Sequence, residues 1–113
     1  MAQVVHKVSA AVVRERIHAA PEQIAAFCRA HHIRWLALFG SVLRDDFRND
    51  SDVDVLVEFD PEQPVTFFDL HDMEEELSPL FGGRKIDLVT AAALHRLIRA
   101  RVLPLAEVQY AEG

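Results

Sequence analysis

The sequence predicts an α+β fold, an α/β two-layer sandwich in which helices cover one face of a small mixed sheet. Three observations predict it. Residues 53–59, "VDVLVEF", alternate with a period of two, and residues 33–39, "IRWLALF", form a continuous apolar run. Stretches with helical spacing lie before, between and after such segments, in the order helix, strand, turn, strand, helix, strand, helix.

Each element follows from local chemistry. Residues 4–18 place Val5, Val8, Val12 and Ile17 at helical spacing, without a clear cap. Pro21 suits a first helical position and Glu22 the positive end of the helix dipole, while Ile24, Phe27, Cys28 and His31 share a face. The run 33–39 then reads as a strand buried on both sides, ended by Gly40. In the next strand Val53, Val55, Val57 and Phe59 point one way, and Asp52, Asp54, Leu56 and Glu58 the other. Pro61 and Pro64 close it. Thr66 caps a helix with Asp69 three residues on, and Leu70, Met73, Leu77 and Leu80 form its apolar stripe. "FGGRK" is a turn, residues 85–89 a short third strand, and Thr90 starts a last helical stretch with Leu94, Leu97 and Ile98 inward. Pro104 interrupts that helix, and the tail forms an edge strand or a short helix.

At 113 residues the chain suits a single domain, with 1–19 as an N-terminal helical extension and 20–110 as the core. Half of the residues are hydrophobic and 27% charged, an ordinary globular balance. Asp and Glu outnumber Lys and Arg by 18 to 12, which argues against an extended surface for duplex nucleic acid. No apolar run approaches the length of a membrane span. Cys28 is the only cysteine and no secretory pattern opens the chain, so a cytoplasmic setting is expected.

The informative stretch is "LFGSVLRDDFRNDSDVDVLVEFD". Alternate strand residues project to one side with their Cα atoms about 7 Å apart, so Asp52 and Asp54 converge. Clustered carboxylates repel unless one is protonated or a cation lies between them. An all-oxygen set suits magnesium or manganese better than zinc. Asp87, in "RKIDLV", becomes the third acid if its strand lies beside the second in suitable register. Such a triad can position a triphosphate and lower the pKa of an attacking hydroxyl through the metal. Gly40 can take a positive φ and admit a ligand close to the backbone, and the amides near Ser41 and Val42 can meet an anion. Arg44 either reaches the same phosphates or pairs with Asp45, Asp46 or Asp50.

Other polar and aromatic residues read as structure. His31 and His32 are adjacent and make a poor chelating pair, and no histidine has zinc spacing. Cys28 reads as a buried small hydrophobe. Trp35, Phe39 and Phe59 read as sheet core. Phe67, Phe68 and Phe81 read as core too, with base stacking or a partner surface as the alternative. Glu74, Glu75 and Glu76 read as a solvated helix face or a patch for a basic partner.

In "LFGSVLRDDFRNDSDVDVLVEFD", "FFDLHDMEEEL" and "GRKIDLVT" the chain resembles the minimal nucleotidyltransferases of the polymerase-beta-like nucleotidyltransferase superfamily, over residues 21–108. The resemblance implies that Gly40 and Ser41 contact phosphate, with Arg44 at a family arginine position, and that Asp52, Asp54 and Asp87 are the metal-binding, catalytic carboxylates. It implies an antitoxin that uses magnesium or manganese and ATP to move AMP onto a hydroxyl, a tyrosine by preference, of a HEPN-type ribonuclease toxin. Val42 stands where the family often has its first arginine, and Asp45 where it has glycine. Asp45 is turned outward, weakens nucleotide affinity or alters partner contact. Two other functions compete: a non-catalytic antitoxin acting by occlusion, and a small-molecule nucleotidyltransferase, which needs an acceptor cleft of the kind a homo-oligomer can make.

Overall fold

The computed structural model describes residues 6–112. The chain runs through α1 (Ala10–Ile17), α2 (Pro21–Ala30), β1 (Ile33–Phe39), a 3-10 turn (Gly40–Leu43), β2 (Val53–Phe59), α3 (Phe67–Leu80), β3 (Ile86–Thr90), a second 3-10 turn (Ala91–Ala93), α4 (Arg96–Val102) and β4 (Glu107–Ala111). The strands form a mixed sheet in the order β3-β2-β1-β4. β1 is antiparallel to both β2 and β4, whereas β2 and β3 are parallel. A parallel pair needs a crossover rather than a hairpin, and α3 supplies it.

Burial explains the two strand patterns. β1 and β2 are the inner strands. In β1 the consecutive residues Leu36, Ala37 and Leu38 are all fully buried, so both faces are covered at its centre and its apolar run follows. Leu36 and Leu38 of β1, Val53, Val55 and Val57 of β2, and Ile86 and Leu88 of β3 make one apolar sheet face. Val13 and Ile17 of α1, Ile24 and Phe27 of α2, and Met73 and Leu77 of α3 cover that face. Helices therefore roof the predicted side. Asp54 shares its parity with Leu56, on the opposite face. There Leu56 is also fully buried, and the Ala91–Ala93 turn lies against β2.

The caps are local and specific. The Thr66 hydroxyl accepts from the Asp69 amide, and the Asp69 carboxylate accepts from the Thr66 amide at 2.8 Å. Pro21 opens α2, with the Gln23 side chain accepting from the Ala20 amide at 2.8 Å. Cys28 is buried in the core as expected, and burial pushes its thiol up to about 12, against a smaller opposing pull from Arg29. It is a packing residue, not a thiolate nucleophile.

Several expectations are corrected. The first helix is capped by the Ser9 side chain and starts at Ala10, so Val8 precedes it; Val5 lies outside the described residues. Thr90 caps only the Ala91–Ala93 turn, and α4 starts later behind His95. Leu97 and Ile98 do not point inward: they are 63% and 52% exposed, on a helix that buries none of its residues. Phe67 and Phe68 are also exposed, since the buried part of α3 is made further along by Met73 and Leu77; Phe81 alone of that trio is core. Trp35 and Phe39 are half-buried on the side of β1 away from the main cluster. The tail resolves as the edge strand β4. Among the described residues no helix is long and apolar enough to cross a membrane.

Candidate active site

The parallel register of β2 and β3 sets Asp54 opposite Asp87, each the partner of the other across the ladder. Paired residues in adjacent strands project to the same side, so these carboxylates share the sheet face opposite the helical core. Asp52 immediately precedes β2 with the same parity as Asp54. The three predicted acids thus come together. Asp54 is half-buried, whereas Asp52 and Asp87 are exposed.

The electrostatics record the crowding. Burial raises the Asp54 pKa above its ordinary value, and Asp87 and then Asp52 raise it further; Arg44 opposes them. Lys85 gives Asp52 only a loose contact, Nζ to Oδ2 3.9 Å, with its side chain largely in solvent. Among the described residues no three acidic, His or Cys side chains close on one point as a finished metal cage. The acids instead stand at an open edge. Magnesium suits that setting, because it keeps several ligands from water and substrate phosphates and takes only one or two carboxylates from the protein.

Gly40 belongs to the same construction. Its φ is +75°, and a Cβ there would overlap the Asp54 carboxylate, with Asp54 Cγ 3.1 Å away. Glycine is required here for both reasons. Among the described residues no side chain caps the turn Gly40–Leu43, whose first amides have no partner within it. Ser41 is half-buried, and Val42 turns fully into the core. Arg44 resolves in favour of pairing: its Nε lies 3.1 Å from Asp46 Oδ1, while its charge still reaches Asp54. Asp45 is turned outward. Its amide donates to the His6 carbonyl at 3.0 Å, and its Oδ1 accepts from the His6 amide at 3.4 Å.

Two supports escape the sequence reading. Arg84 Nη1 donates to the carbonyls of Arg48, Asn49 and Ser51 at 2.9, 3.1 and 3.0 Å, tying down the loop that delivers Asp52. Its guanidinium also lies over the Phe47 ring at 4.2 Å, with Arg16 at 4.9 Å from the same ring. "GRK" signals only a turn, and nothing in its spacing reveals these distant carbonyls. Arg84→Ala is expected to cost about 1–2 kcal/mol in urea unfolding, with faster amide exchange over residues 48–53. Glu74 is the second support: its Oε2 accepts from the Leu88 amide at 2.8 Å and steadies β3 beside Asp87. The Glu-rich run is therefore not simply a solvated face, since Glu76 also meets His31 Nε2 at 2.7 Å.

Comparison with known proteins gives the family. The family model for the nucleotidyltransferase domain matches residues 21–108. Protein adenylyltransferase MntA of Thermococcus cleftensis is 34% identical over 90 residues, covering 73% of this chain and 88% of the relative. A Methanocaldococcus jannaschii protein provisionally named a protein adenylyltransferase is 34% identical over 65 residues, or 58% of this chain; the match spans 64% of that relative's length. A solved structure, provisionally described as a minimal nucleotidyltransferase, superposes with a TM-score of 0.62 at 33% identity, covering 76% of this chain and 85% of that one. A chain from the complex of a tri-AMPylated Shewanella oneidensis HEPN toxin with an MNT antitoxin shares the fold at 15% identity, with a TM-score of 0.59 over 80% of this chain and 69% of that one. The chain belongs to the nucleotidyltransferase-domain family, among its minimal nucleotidyltransferases.

Proposed function

We propose that the protein is an antitoxin adenylyltransferase that moves AMP from ATP onto a hydroxyl of a HEPN-type toxin, a tyrosine hydroxyl by preference. The observation that carries this reading is the pairing of Asp54 with Asp87 across parallel strands, directly beneath the side-chain-free Gly40. The names of the relatives support the chemistry, and the AMPylated toxin in the Shewanella complex supports the class of partner.

Asp52, Asp54 and Asp87 would hold magnesium or manganese, which neutralises phosphate charge and lowers the pKa of the acceptor hydroxyl. The chain's own groups do the rest. Gly40 lets the triphosphate approach the backbone, and the Ser41 hydroxyl and the turn amides bind its oxygens. Arg44 adds positive charge at the margin. The acceptor oxygen attacks the α phosphorus as the bond to the β-phosphate oxygen breaks. Pyrophosphate leaves with that electron pair, and the exposed carboxylate of Asp87 takes the hydroxyl proton.

Incubating the purified pair with ATP and magnesium should add the mass of AMP to the toxin, once per modified residue, and release pyrophosphate. The Asp52→Asn, Asp54→Asn double variant should leave the toxin mass unchanged and its ribonuclease active. If that variant silences the toxin as well as the wild type does, the protein acts by occlusion and the transferase reading falls.

A further inference from the structure

Three cations meet at one cavity in a chain of net charge -6. The cavity, about 420 Å³, opens beside Gly40, between the turn it begins and the C-terminal helix. Phe39, Leu43 and Val102 give it apolar walls, and Lys7, Arg44 and Arg101 stand around it. Apolar walls with cations at the margin suit a ligand that has both a flat apolar part and several negative charges.

Lys7 arrives there by construction. The Val8 amide donates to the Leu43 carbonyl at 2.8 Å, and Lys7 and Arg44 form an antiparallel bridge. Arg16 of α1 adds a clamp from the other side: its Nη1 donates to the carbonyls of Val42, at 3.0 Å, and Arg44, at 2.6 Å. Together with the Asp45 and His6 contacts, the N-terminal segment is stitched to the very turn that begins at Gly40. None of residues 6–17 falls within the family match at 21–108.

The turn itself brings little free positive charge. Val42 is apolar and fully buried, and Arg44 is engaged with Asp46. Among the described residues Lys7 is held only by Glu107, Nζ to Oε2 3.7 Å, with side chains 45% and 27% exposed. So weak a pair yields readily to a phosphate of higher charge. Resting on the nucleotidyltransferase reading above, we propose that the N-terminal segment is a working part of the nucleotide site. Lys7 binds the β and γ phosphates, and Glu107 competes with them for its ammonium group.

Calorimetric titration of the full chain with magnesium and AMP-PNP, and separately with AMP, tests this. Lys7→Gln should weaken AMP-PNP binding about five- to tenfold and change AMP binding less than about twofold, because AMP has no β or γ phosphate. Glu107→Gln should shift AMP-PNP affinity the opposite way, tightening it by about twofold as Lys7 is released. An ion pair with a purely structural role would move both variants in the same direction, in affinity and in melting temperature alike. That result, or a Lys7→Gln protein that binds AMP-PNP as the wild type does, would overturn the assignment while leaving the transferase reading intact. A wild-type protein that takes up no magnesium nucleotide at all would remove both.

Discussion

Asp54→Asn is expected to reduce nucleotidyl transfer on the order of a thousandfold or more, while raising the melting temperature of the protein measured without divalent ions. Both effects have one origin. The Asp54 carboxylate is half-buried beside two other acids, and Arg44 opposes the crowding without overcoming it. Removing its charge relieves desolvation and repulsion but deletes the central ligand of the proposed cation site. The pH dependence follows from the same shift. Folded Asp54 binds its proton more tightly than the unfolded chain does, so between the ordinary value of 3.8 and the raised one the native state carries more protons. Stability from this group is fully present below 3.8 and is lost as pH rises through the raised value. Melting curves without divalent ions should therefore show the variant's advantage shrinking as the solution is acidified. A variant less stable than the wild type at neutral pH would contradict the crowding.

Gly40→Ala is expected to impair both folding and function. At φ +75° an alanine is strained, and its Cβ would displace the Asp54 carboxylate. The strain is of the order of 1–3 kcal/mol, and moving a catalytic group by about 1 Å costs transfer on the order of a hundredfold. Gly83 provides the control. Its φ is +79°, yet a Cβ there meets nothing within 4 Å. Gly83→Ala should share the backbone cost in urea unfolding and keep its transfer rate. Equal losses of activity in the two variants would mean that Gly40 matters only as a turn residue.

Much of the candidate site is legible in the sequence, for a physical reason. Strand parity is strict, so "DVDVLV" places Asp52 and Asp54 on one side once Val53, Val55 and Val57 are known to be buried. The Thr66–Asp69 cap was equally legible, because both partners lie within one helical turn. The register of Asp87 against Asp54 was a condition the sequence could state but not decide, since register depends on how α3 returns the chain. Contacts that span the molecule left no local trace. Arg84 on the carbonyls of residues 48, 49 and 51, Arg16 on Val42 and Arg44, and Glu74 on the Leu88 amide were all of this kind. Leu97 and Ile98 show the opposite failure. Their spacing defines an apolar stripe on α4, but spacing cannot say whether anything covers it.

The most direct measurement is a manganese titration of the isotopically labelled protein with AMP-PNP, followed by loss of amide signal intensity. Signals of Gly40, Ser41, residues 52–54 and Asp87 should broaden first and together, and Asp54→Asn should abolish the effect. Broadening centred on Glu74, Glu75 and Glu76, or spread evenly over the acidic surface, would contradict a divalent cation held between β2 and β3.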